Sequence, residues 1–197
     1  MNQPDIPDNA ENIPLRLFIA ITCPPLDKVA DLLKELKIIA AQSAGEIRVV
    51  ADNNLHITLK FLGSSLSLSI THIAAMLDEV ALHTRPFDIA LAGAGIFKDA
   101  FWLGTSPCNP LTELASSINQ KLEPLGFTPE TRPFIPHLTL ARINQQARTR
   151  LHSWLQQCND ETWGSLHVKE AHLYQSETMR TGVRYSILHT SSFHLPA

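Results

Sequence analysis

Two tetrads constrain this chain more than any other feature: His56-Ile57-Thr58-Leu59 and His137-Leu138-Thr139-Leu140. Each lies in an apolar run that alternates with period two, the signature of a half-buried strand. Along such a strand successive side chains leave opposite faces. His56, Thr58 and Lys60 therefore share one face, with Leu55, Ile57, Leu59 and Phe61 on the other. In the second copy His137 and Thr139 oppose Leu138 and Leu140, and the same parity puts Arg142 on the apolar side. The apolar faces belong in a core. The remaining faces each offer an imidazole beside a hydroxyl, and a fold that satisfies both strands has to bury both apolar faces in sheet. His-x-Thr alone is a weak pattern, but its repetition inside two clean alternations is much stronger.

The rest of the chain supplies the elements such sheets need. Leu15 to Ile21 reads as a buried strand stopped by Pro24-Pro25, and Val29, Leu32, Leu33, Leu36 and Ile39 recur at helical spacing. Ile47 to Val50 is a short strand, and the first histidine strand spans Leu55 to Leu62 and is closed by Gly63. Ile70, Ile73, Leu77 and Val80 mark a second helix. Phe87 to Leu91 is a strand, and Ile96-Phe97 with Phe101 to Leu103 form a hairpin. A third helix has Asn109 as N-cap and Pro110 as first residue, and carries Leu111, Leu114, Ile118 and Leu122. The second histidine strand covers Leu138 to Ile143, followed by a helix through Ala147, Leu151, Trp154 and Leu155. Two closing strands fall around Leu166 to Tyr174 and Val183 to Phe193. Not every adjacent strand pair is separated by a helix, so the class is α+β with antiparallel sheet.

Hydrophobic residues make up 44% of the 197 and charged residues 18%, enough apolar material for a packed interior. A net charge of −3 argues against broad coating of duplex nucleic acid, which needs a strong basic footprint, but not against a local phosphate site. Cys23, Cys108 and Cys158 are far apart and odd in number, which points away from a disulfide framework and toward a reducing, cytoplasmic setting. Residues 1–14 are polar and acidic, a flexible tail without the basic start and apolar stretch of a secretory signal. No apolar run approaches the ~20 residues that span a bilayer.

The chemistry on offer is that of two nitrogen acid/base groups with hydroxyl donors. Metal sites gather His, Cys or carboxylate ligands at short spacings, and neither His-Glu-x-x-His nor His-x-His occurs. A serine hydrolase lacks its Gly-x-Ser-x-Gly elbow. Gly93-Ala-Gly95 is too little for a nucleotide loop and reads as a close approach within a hairpin. Arg132 sits in a proline-bounded loop before the second tetrad, where it either reaches substrate or faces solvent. Phe134, Trp102 and Tyr174 are candidates to stack on a base or to fill the core.

Asn54-Leu-His-Ile-Thr-Leu-Lys-Phe-Leu-Gly63 and Arg132-Pro-Phe-Ile-Pro-His-Leu-Thr-Leu-Ala-Arg142 carry a resemblance, with Leu15-Arg-Leu-Phe-Ile-Ala-Ile21, Phe101-Trp-Leu-Gly104 and Leu173-Tyr-Gln-Ser176. Through them the chain resembles the RNA 2′,3′-cyclic phosphodiesterase family, also described as 2′-5′ RNA ligases, of the 2H phosphoesterase superfamily. The resemblance implies a bilobal 2H phosphoesterase fold: two antiparallel sheets with flanking helices around a central cleft, related by pseudo-twofold symmetry. It covers residues 15–197 as a single bilobal domain. It implies His56 and His137 as the catalytic pair, with His56 giving a proton to the leaving 3′ oxygen and His137 activating water. Thr58, Thr139, Lys60 and Arg132 are the expected substrate-binding residues. The implied substrate is an RNA or oligonucleotide end bearing a 2′,3′-cyclic phosphate, handled without metal or other cofactor, membrane or protein partner, by a monomer. The alternatives are 2′-5′ RNA ligation as the reverse reaction and a non-catalytic RNA- or nucleotide-binding module.

Overall fold

The computed structural model describes residues 14–67, 69–97, 99–158, 161–180 and 182–194. The tail expected over residues 1–14 lies outside them except for Pro14, which opens the first strand. In chain order the elements are β1 (Pro14–Thr22), α1 (Asp27–Ala41), β2 (Ile47–Val49), β3 (His56–Leu66), α2 (Ser69–Leu82), β4 (Phe87–Ile96), β5 (Ala100–Thr105), α3 (Asn109–Leu122), β6 (His137–Ile143), α4 (Gln145–Cys158), β7 (Thr162–Val168), β8 (Glu170–Met179) and β9 (Gly182–Ser192). Every strand pairing is antiparallel.

The strands run β7-β4-β5-β6-β3-β1-β8-β9, with short β2 against β6. The two expected sheets are therefore the two halves of one curled sheet, with the histidine strands β3 and β6 innermost. A single residue pair, Ile57 with Leu138, joins the halves. These are the second residues of the two tetrads, so the pseudo-twofold axis passes through them. Both side chains are fully buried. The helices repeat the symmetry by crossing over. Helix α1 leaves β1 and packs on β2 and β7 of the other half, while α3 leaves β5 and packs on β3. Helices α2 and α4 stay with their own halves, against β8–β9 and β4. Leu33 and Leu36 of α1, Ile73 and Leu77 of α2, Leu111 and Ile118 of α3, and Leu151 of α4 enter one continuous core with the apolar faces of β3 and β6.

Both histidine strands carry an extra residue at the same place. Thr58 pairs with Ala20 and Lys60 with Ile19, leaving Leu59 unmatched. Thr139 pairs with Trp102 and Ala141 with Phe101, leaving Leu140 unmatched. A bulge bends its strand and reverses the parity of everything after it. In β3 a second bulge at Leu62, followed by Gly63 at φ 71°, lets the strand turn and continue to Leu66 rather than end at Gly63.

Two other expectations change. Cys108, not Asn109, occupies the N-cap of α3, without a side-chain capping bond, and Asn109-Pro110 form its first turn. The run Leu166 to Tyr174 holds the end of β7 and the start of β8, which break at Lys169 because the chain there leaves β4 to join β1 in the other half. The reading of Gly93-Ala-Gly95 as a close approach fits what lies above it. A Cβ on Gly95 would come within 2.1 Å of the Trp102 indole. Gly95→Ala should therefore overpack this corner and cost about 1–3 kcal/mol, read as a lower urea midpoint. A wild-type midpoint would mean that the indole has room to move aside.

Candidate active site

Between the halves lies a cleft of about 670 Å³, lined by His56, Thr58, His137, Thr139 and Arg132 among others. Each tetrad positions its histidine in the same way. Nδ1 of His56 lies 2.7 Å from the carbonyl oxygen of Asn54, and Nδ1 of His137 lies 2.8 Å from that of Ile135. A carbonyl only accepts, so both Nδ1 atoms carry their protons and donate. Nε2 is then the nitrogen left to exchange a proton with the cleft. Thr58 and Thr139 present their side chains beside these rings, and among the described residues no protein group engages either hydroxyl.

The surroundings of the two imidazoles differ. His56 sits 4.9 Å from the Phe18 ring and meets Tyr185 edge-on at 5.1 Å. His137 meets Phe97 edge-on at 5.0 Å and Trp102 at 6.1 Å. Burial pushes the His56 imidazole below its ordinary pKa, the hydrogen bond to Asn54 opposes this, and the charges of His137 and Arg142 push it lower again.

The bulges correct three parity assignments, those of Lys60, Phe61 and Arg142. Lys60 does not reach the cleft: past Leu59 it turns to the core side and is 8% exposed. Its Nζ donates to Asn119 Oδ1 at 2.7 Å and to the Thr128 carbonyl at 2.9 Å. Asn119 Oδ1 also accepts the Glu130 N–H, so Lys60 ties β3 to α3 and to the loop that carries Arg132. Past Leu140, Arg142 turns the other way, onto the histidine face, and lines the cleft with Nη1 3.1 Å from Asp99 Oδ2. Arg132 lines the rim, where Nε and Nη2 clasp the Glu130 carboxylate at 2.9 and 2.8 Å and hold its pKa down to about 2. Phe61, placed on the core face by parity, is turned into the cleft by the bulge, and Arg16, Ser176 and Thr178, to which the sequence assigned no site role, line its far end. Trp102 packs beside Phe97 and Tyr174 bonds Thr22, so both are framework rather than open ring surface. Phe134 packs against the core.

Among the described residues no three His, Cys, Asp or Glu side chains are grouped to hold a metal ion. No helix among them is long and apolar enough to cross a membrane.

A curled antiparallel sheet with matched halves and one His-x-Thr on each side of a shared cleft defines a 2H phosphoesterase. LigT of E. coli, solved with 3′-AMP, has this fold: it superposes with a TM-score of 0.71 at 27% identity, over 92% of this chain and 99% of LigT. TT0787 of Thermus thermophilus shares the fold with a TM-score of 0.73 at 23% identity, over 91% and 98% of the two chains. The model of the 2′-5′ RNA ligase superfamily matches residues 25–179, and the chain belongs to that family. Its relatives include an RNA 2′,3′-cyclic phosphodiesterase from Archaeoglobus fulgidus, 31% identical over 88% of this chain and 98% of the relative. Another, from Aquifex aeolicus, is 28% identical over 88% and 95%.

The position of Lys60 has a direct test. Removing two hydrogen bonds from a buried ammonium should cost about 1.5–3 kcal/mol, so Lys60→Met should lower the unfolding free energy by that much at unchanged m-value. Full stability with weakened substrate binding would return Lys60 to the cleft.

Proposed function

We propose that this protein hydrolyses 2′,3′-cyclic phosphates at RNA ends to 2′-phosphomonoesters, with His137 as base and His56 as acid. One observation carries the reading: two imidazoles, each with Nδ1 tied to a backbone carbonyl, offer Nε2 to one cleft beside two free threonine hydroxyls. The names of the relatives supply the substrate class. A module that only binds RNA has no use for two imidazoles oriented in this way.

The reaction needs a water nucleophile, a proton for the departing ribose oxygen, and donors for the charge that gathers on phosphorus. Neutral His137 takes a proton from water as its oxygen attacks phosphorus in line. The bond from phosphorus to O3′ breaks, and protonated His56 gives its Nε2 proton to O3′. Thr58, Thr139 and the guanidinium of Arg142 bind the non-bridging oxygens where negative charge grows, and Arg132 holds the incoming anion at the rim. The anion also offsets the charge of Arg142, which favours the proton that His56 must carry. The compartment we propose is a reducing cytoplasm. It suits three unpaired cysteines, the Cys23 thiol among them pushed up to about 11 by burial.

His56→Ala and His137→Ala should each reduce turnover of a cyclic-phosphate dinucleotide by at least ~10² while leaving the circular dichroism spectrum unchanged. Phosphorus NMR of the wild-type product should show the 2′-phosphate. Near-normal activity in either variant would remove the paired roles, and a 3′-phosphate product would reverse the orientation of the ribose.

The pH profile tests the pair. One imidazole must be protonated and the other neutral, so kcat/KM should follow a bell whose limbs belong to the two histidines together. Because the His56 pKa is lowered in the free enzyme, one limb should lie below ~6.5, the ordinary histidine value. Arg142→Gln removes one of the charges that lower it and should move that limb to higher pH. A rate that rises steadily into the alkaline range would remove the two-histidine chemistry.

A further inference from the structure

The cleft is longer than one cyclic phosphate requires. On its first-half wall, alternate residues of β1 face the cleft, and Arg16 lies four residues before Ala20, the partner of Thr58. At ~3.3 Å per residue that is about 13 Å along the strand, which puts Arg16 and Thr58 on different stretches of the cleft wall. Between them the wall is apolar: Phe18 and Phe61 pair there with their rings 6.2 Å apart, and Phe61 is 68% exposed. At the far end Arg16 pairs across the sheet with Ser176, and Thr178 follows on the same face.

The three cleft arginines are not alike. Arg142 is paired with Asp99 and Arg132 with Glu130. Among the described residues Arg16 has no carboxylate partner, and nearby Glu177 is taken by Arg184. The cleft thus holds an unneutralised cation beside two hydroxyls, four residues along β1 from the partner of Thr58, in a chain whose net charge is −3. A charged groove with ring surface along it is the pattern that tracks single-stranded nucleic acid.

We propose that Arg16, with the hydroxyls of Ser176 and Thr178, forms a second phosphate subsite that takes an internal phosphodiester upstream of the cyclic end. The proposal rests on the reading of the histidine site given above and adds where the strand upstream of the RNA end is held. Phosphate contacts position a strand without reading its sequence, so this subsite selects for length and not for bases.

The test compares kcat/KM for a 2′,3′-cyclic mononucleotide and for di- and trinucleotides with the same end, across a salt series, in wild type and Arg16→Gln. Wild type should prefer the trinucleotide over the mononucleotide by about tenfold, as expected for one charge-assisted contact. Arg16→Gln should lose most of that preference, changing less than about twofold on the mononucleotide. Its log–log salt slope on the trinucleotide should be shallower by about 0.7, the value for one phosphate contact on a single strand. A neutral methylphosphonate at one linkage should reproduce the loss in wild type. Equal kcat/KM at every length, or an equal loss on all substrates in Arg16→Gln, would overturn the subsite. A 5′-phosphorylated mononucleotide that gains as much as the trinucleotide would overturn its assignment to an internal linkage. Failure of wild type to open any of these substrates would instead sink the reading of the histidine site.

Discussion

One backbone pairing, Ile57 with Leu138, governs the rest of this molecule. It joins two half-sheets at equivalent residues, so each histidine, one position earlier, emerges at the same height on either side. Further pairing between β3 and β6 would zip the strands together and close the space between them. The bulges at Leu59 and Leu140 bend the two strands within two residues of the contact. Crossed helices α1 and α3 stop the halves from separating, since each is covalently part of one half and packed on the other. A narrow join with a broad crossed support gives a cleft of fixed width, which the proposed in-line chemistry between two imidazoles demands.

What could be read from the chain follows from which signals are local. Alternation in β3 and β6 exposed the tetrads, their shared faces and the histidine pair, because parity needs only neighbouring residues. The bulges broke parity and so reversed the places of Lys60 and Arg142. In β6 the clue was present: Leu138, Leu140, Ala141 and Ile143 are all buried, and two adjacent apolar residues mark where the alternation changes phase. In β3 the equivalent of Ala141 is Lys60, a cation at a core position, and its charge hid the same phase change. Only the third dimension supplies Asn119 and the Thr128 carbonyl, which make a buried ammonium tolerable there. The division of Leu166 to Tyr174 at Lys169 was hidden for a similar reason. Both pieces are good strands, and only their partners, β4 and β1, lie in different halves.

Charge in the cleft is arranged to be exchanged. Arg142 and Arg132 rest on Asp99 and Glu130, both partly open to water. Exposed ion pairs of this kind are weakly held and screened by salt. They keep the guanidinium groups over the cleft, and under the proposed function a bound phosphate would replace carboxylates that water can solvate once released. A net negative protein can thus present a local basic site without the self-repulsion that a bare cluster of arginines would create.

Symmetry raises a difficulty that the side chains around the histidines resolve. The proposed hydrolysis needs one protonated and one neutral imidazole, yet a duplicated tetrad supplies two equal ones. The backbone treats them alike, with Nδ1 bound two residues back in each. What distinguishes them is contributed by elements outside the repeat. In the first half Phe18, Ala20 and Tyr174, joined by Tyr185, form a small apolar cluster on the cleft side of the sheet, apart from the main core. His56 packs on it and is partly removed from water, which weakens its hold on a proton. The pseudo-equivalent wall of the other half meets His137 with Phe97 and Trp102, and there the indole lies over Gly95 rather than joining such a cluster. The scaffold is symmetric where it must place two nitrogens opposite each other, and asymmetric where those nitrogens must behave differently.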